Sequence, residues 1–118
     1  MKNALNDFKI LKITKLQLQD IIGENLHNVK IKNSVTINNM DVIFILERVR
    51  NHEISISDLI DWVNVIWFTN LFTYADEYQD SIASVMSELE ELDEKGNQLT
   101  CKRIEGYIDV LKNNREID

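Results

Sequence analysis

The chain has no proline, a single cysteine, three glycines and two histidines in 118 residues. One cysteine excludes an intrachain disulfide and fits a reducing compartment. The glycines, Gly23, Gly96 and Gly106, stand apart, so no glycine-rich loop can cradle a phosphate. His27 and His52 fall in different expected turns, and no H-E-x-x-H or C-x-x-C spacing occurs, which argues against a histidine- or thiolate-based zinc site. Without proline, helices can run uninterrupted. Positive charge is missing from one long stretch: no Lys or Arg lies between Glu53 and Glu94, where eleven carboxylates stand.

What is present suits one domain over residues 1–118. The 44% hydrophobic and 28% charged content is that of an ordinary globular chain. At this length a single core can form without a metal or disulfide staple. The first residues, MKNALNDFKILK, show no apolar signal region, so the expected location is cytoplasmic. Residues 1–52 carry eight basic against five acidic groups, or +3; residues 53–118 carry five against fifteen, or −10. The densest basic set is Lys9, Lys12, Lys15, Lys30 and Lys32, and with a net charge of −7 direct nucleic-acid binding is disfavoured.

The stretch Ile54–Tyr78 holds both tryptophans and organises the rest. Leu59, Ile60, Trp62, Val63, Val65, Ile66, Trp67 and Phe68 make a helix apolar around most of its circumference, interrupted only by Asp58, Asp61 and Asn64. Such a helix must be covered on several sides, and both Trp62 and Trp67 are expected to be structural. It is too short and interrupted to span a membrane. Ser55 and Asp58 have capping-box spacing, as do Thr14/Gln17, Asn38/Asp41 and Asp76/Gln79, while Thr100 caps a last helix.

Those signals set helices over about 15–22, ended by Gly23, and from Asn38, with Val42, Ile45, Leu46 and Val49 facing inward. A further helix follows Asp76, with Ile82, Val85, Met86, Leu89 and Leu92 inward, closed by Lys95-Gly96. The last carries Ile104, Tyr107, Ile108 and Leu111. FKILKI near the start suits either a strand or a helix. Alternation in NVKIKNSVTIN suits a small β-hairpin near residues 28–38, or else an ordered loop. The segment LFTYADEY is expected as a bend with aromatic anchors. The fold class is mainly α: a single-domain bundle of about five helices with that one small hairpin.

Chemistry is sparse. Cys101 opens a helix, where a thiolate is favoured, but a helix-filling role outweighs a nucleophilic one because no histidine is placed beside it by the sequence. Asp58/Asp61 and Glu90/Glu94 could be read as acid pairs or Mg²⁺ ligands; at helical spacing on exposed faces, solvated carboxylates are the commoner outcome. No catalytic set, metal site or cofactor is expected. The acidic residues Asp58, Asp61, Asp76, Glu77, Asp80, Glu88 and Glu91 are instead the expected partner-binding surface, against the plainer reading of a face kept for solubility.

SISDLIDWVNVIWF (55–68), DSIASVMSELEELDEKGNQLT (80–100) and YIDVLKNN (107–114) resemble small bacterial immunity proteins of contact-dependent growth inhibition and related polymorphic toxin systems. The resemblance implies neutralisation of a cognate toxin domain, often a nuclease, by covering its active site or a nearby surface, and no binding residue carries over by position. The residues alone leave open a different class, a regulatory or adaptor helical domain that binds a basic host protein.

Overall fold

The computed structural model describes residues 2–23, 35–69, 71–95 and 99–116. Six α-helices run through them: α1 (Lys2–Lys9), α2 (Lys15–Ile22), α3 (Asn39–Arg50), α4 (Ile56–Phe68), α5 (Gln79–Lys95) and α6 (Cys101–Lys112). Two short strands, β1 (Val35–Ile37) and β2 (Phe72–Tyr74), and a 3-10 turn, Asp76–Tyr78, complete the order. The mainly α bundle is therefore as expected, with one more helix: FKILKI divides between the end of α1 and a turn, and Ala4, Leu5 and Phe8 are buried.

Helix starts follow the local chemistry. Thr14, Asn38 and Ser55 each accept from the backbone N–H three residues on, and Gln17, Asp41 and Asp58 return the bond, so three capping boxes are complete. Thr100 accepts from the Arg103 N–H. Asp76 does not act this way. It lies inside the 3-10 turn, whose preceding Ala75 makes no side-chain cap, and α5 begins only at Gln79.

Helix ends are less conventional. Gly23 stops α2 at φ 74°, donating to the Gln19 carbonyl. The other positive-φ residues are Leu11, His52 and Asn114. Each sits where the next N–H reaches back five residues and its own reaches back three: Lys12 to Asp7 and Leu11 to Phe8, Glu53 to Arg48 and His52 to Val49, Arg115 to Val110 and Asn114 to Leu111. These are Schellman ends to α1, α3 and α6, built without glycine. A left-handed non-glycine residue costs roughly 1–2 kcal/mol, tolerated here because the bonds satisfy carbonyls the helix end leaves orphaned.

Strand β1 lies parallel to β2, Val35 opposite Phe72 and Ile37 opposite Tyr74, with α3 and α4 forming the crossover that parallel pairing requires. The hairpin expected near 28–38 falls largely outside the described residues; its second arm is a strand, and the described partner of that arm is β2. LFTYADEY is accordingly a strand and a 3-10 turn in place of a simple bend, with Leu71 and Phe72 buried as anchors.

Helix α4 packs against α2, α3 and α5, and Leu59, Trp62, Val63, Val65 and Ile66 are buried. The Trp62 indole N–H donates to the Lys9 carbonyl at 3.0 Å, tying α4 to the end of α1. Arg48 donates to the Ile10 carbonyl at 2.6 Å, a second tie to the same turn, so it does more than complement the α3 dipole. Two buried polar side chains close the C-terminus of α6: Asn39 donates to the Leu111 carbonyl (3.1 Å) and Ser81 to that of Val110 (3.3 Å). Trp67 departs from the expected core. It is 36% exposed and stands at the surface. The helix is apolar further round than its neighbours cover.

Candidate partner-binding surface

The seven carboxylates fall into two regions. Asp58 and Asp61 sit in the first turns of α4, bordering a small recess with Leu11, Ile13, Thr14, Lys15 and Ile54. Asp58 completes the Ser55 cap, so part of its hydrogen-bonding capacity serves the fold. Lys15 shares the recess, which makes this end of α4 mixed in charge.

The other five follow one line. Asp76, Glu77 and Asp80 border a polar groove of about 480 Å³, whose far wall is Asn114, Arg115 and Glu116. Its shape is held by Asn114, whose side-chain amide donates to the Glu77 carbonyl at 3.0 Å. At 100° per residue Asp80, Ser84, Glu88 and Glu91 lie within about 80° of arc on α5 and span about 16 Å of its axis. That arc is opposite the buried Ile82, Val85, Met86 and Leu89. Asp80 is exposed and Ser84, Glu88 and Glu91 are half-buried, so the stripe runs from the outer side of α5 along its border with α6, placed there by the same periodicity that builds the core.

Helix α6 supplies the positive charge missing from this part of the sequence. Arg103 donates to the Tyr107 hydroxyl at 2.9 Å and lies over the Tyr107 ring. Burial raises the Tyr107 pKa above its ordinary value; the nearby Glu88 and Glu91 add to this, while Arg103 opposes it. Arg115, which lines the groove beside Asp76, is hydrogen-bonded to Asp109 and so already has a carboxylate partner. The result is an acidic surface with cations at its margin.

Of the other candidates, Cys101 is exposed and His52 serves as the left-handed stop of α3. His27 and the Glu94 side chain lie outside the described residues. Among the described residues no group of three His, Cys, Asp or Glu is placed to hold a metal ion. No described helix is long and apolar enough to cross a membrane.

One feature escaped the sequence. A groove of about 240 Å³ runs beside β2, lined by Ile66, Trp67, Thr69, Phe72, Thr73 and Tyr74. Burial pushes the Tyr74 hydroxyl pKa up to about 12. Helical periodicity had placed Trp67 in the core, and only the position of β2 leaves it at a groove wall.

Compared with known proteins, the chain matches no family model, no curated protein and no solved structure. Its surface chemistry is the ground for a functional reading.

Proposed function

We propose that this chain is an immunity protein: it binds a cognate toxin domain, of the nuclease class, and neutralises it by stoichiometric contact and not by turnover. The observation that carries the reading is the line of Asp76, Glu77, Asp80, Glu88 and Glu91 along the 3-10 turn and α5, within a stretch that lacks any Lys or Arg. A nuclease must present a basic surface to its substrate. An acidic helical face matches that surface in sign, speeds encounter by steering, and competes with nucleic acid for the same cations. The resemblance of residues 55–68, 80–100 and 107–114 to immunity proteins supports the same role.

The test is a titration of toxin activity, the toxin being taken from the neighbouring reading frame. Inhibition ending sharply at a fixed molar ratio is the expected result. Complete inactivation at a small fraction of one equivalent means catalytic modification and overturns the proposal. Reversing Asp80, Glu88 and Glu91 to lysine should slow association about tenfold at low salt, with a smaller effect at high salt where charge is screened. The helical spectrum should stay the same, because Asp80 is exposed and Glu88 and Glu91 are half-buried at the border with α6, outside the apolar core. Unchanged association kinetics in that variant move the interface off α5.

A further inference from the structure

Two hydrogen bonds give the orientation of β2. Val35 N–H donates to the Leu71 carbonyl, and Ala75 N–H donates to that of Ile37. In a parallel ladder residues alternate between facing the partner strand and facing away. Residues 71, 73 and 75 therefore turn their backbone groups to β1, and Phe72 and Tyr74 turn theirs to the opposite edge. Among the described residues the sheet has only these two strands.

The 240 Å³ groove follows that outer edge. Phe72 and Tyr74 belong to one face of the strand and Thr73 to the other, yet all three line it together with Ile66 and Trp67 of α4. A groove bordered from both faces of a strand runs along its edge. Its volume is below the roughly 300–1,000 Å³ of small-molecule pockets, which suits a single side chain of a larger partner better than a whole ligand. Charge narrows the occupant further. Asp76 and Glu77 follow Tyr74 within two and three residues, about 7–10 Å along the chain, and no cation lies on either flanking segment between Glu53 and Glu94.

We infer that this groove receives an extended, lysine- or arginine-bearing segment of the protein partner, which adds to β2 as a further strand and seats one large apolar side chain against Trp67. The inference rests on the acidic-surface reading above and names where its apolar anchor lies. Main-chain bonds to Phe72 and Tyr74 would hold the segment, the Trp67 wall would supply a desolvated contact, and Asp76 and Glu77 would take its cations. Aromatic side chains are enriched at interface centres and charged groups stand at the rim, which is how Trp67 and the acidic turn would divide here.

The experiment uses the full chain, labelled with nitrogen-15, and a capped hexapeptide of alternating lysines with valine, phenylalanine and valine between them. A counterpart with glutamate in place of lysine is the charge control. The expected result is amide shifts concentrated over 66–77 and slowed hydrogen exchange at the Phe72 and Tyr74 amides, with the lysine peptide only. Trp67→Ala should weaken the peptide about tenfold, as expected for truncating an anchor. Glu77→Lys should weaken it as well and leaves the apolar wall untouched, so it serves should Trp67→Ala fold poorly. Shifts confined to 80–91 leave the acidic-surface reading standing and overturn the groove. Equal shifts with the glutamate peptide overturn the basic occupant. No shift with either peptide at millimolar concentration overturns the groove and leaves the acidic-surface reading to the toxin titration.

Discussion

Replacing Trp62 by alanine tests the centre of the fold. The side chain is fully buried, and its indole N–H is bonded to the Lys9 carbonyl. A buried tryptophan removes about 150–250 Å² from water, which at about 25 cal/mol per Å² corresponds to roughly 4–6 kcal/mol. That figure is an upper bound because the unfolded chain already buries some of the area. Measured aromatic-to-alanine substitutions cost about 3–5 kcal/mol, so about 4 kcal/mol is expected here. At about 2.1 cal/mol/K per residue of unfolding entropy, a loss of that size lowers the melting temperature by roughly 15 °C. In urea, with a slope of about 1–3 kcal/mol/M, the midpoint should fall by about 2 M. Far-UV circular dichroism during thermal and urea unfolding reads the two. Trp67→Ala is the matched control: with its ring 36% exposed, the same area estimate gives roughly 2.5–4 kcal/mol as an upper bound, so about 2.5 kcal/mol is expected. A Trp62→Ala variant within about 1 kcal/mol of the parent, or a Trp67→Ala variant that loses more than Trp62→Ala, refutes the assignment of Trp62 to the core and Trp67 to the groove.

Three further perturbations address the joints of the bundle. Asn39→Ala removes one donor to the Leu111 carbonyl at a buried site and should cost about 1–3 kcal/mol, seen as a lower urea midpoint; no change means that the Asn114 N–H alone satisfies that carbonyl. His52→Gly relieves a left-handed backbone at an exposed position. After the entropy of glycine is set against the relief, a gain of about 0.5–1 kcal/mol is expected, and a lower melting temperature would contradict the Schellman end. Tyr74 keeps its proton in the folded state up to about pH 12 against 10 for the free group. Its contribution is therefore full below pH 10 and is lost as pH rises through about 12. Tyr74→Phe should flatten that decline in the urea midpoint, and an identical alkaline profile in the two proteins counts against a buried Tyr74 hydroxyl.

The legible parts of this fold are those whose bonds close within a few residues. Thr14 with Gln17, Asn38 with Asp41, and Ser55 with Asp58 each complete a box across three positions, so helix starts could be placed from spacing alone. The Asp76/Gln79 pair has the same spacing and fails, because the turn winds as a 3-10 helix and the α-helical register begins later. The stop at Leu11 gave no signal, since nothing in a leucine announces a positive φ, and a lone His52 or Asn114 is only a weak marker of one. Each depends on the following residues finding their carbonyls, and those bonds exist only once the chain has turned.

By itself the sequence determined the helical class, most helix starts, the inward faces of α3, α5 and α6, and the acidic stripe of α5. These follow from periodicity and from the absence of cations over a continuous stretch, both properties of neighbouring residues. The tertiary structure alone decided that β1 pairs with β2 across two helices, that Arg103 and Tyr107, one turn apart on α6, come near Glu88 and Glu91 while Arg115 borders the groove of Asp76, and that Trp67 faces a groove while Trp62 is enclosed. A helix apolar on most sides does not specify which side its neighbours will leave open. That depends on where distant segments pack, and contacts between residues far apart in sequence are set by how all the apolar faces can be covered at once.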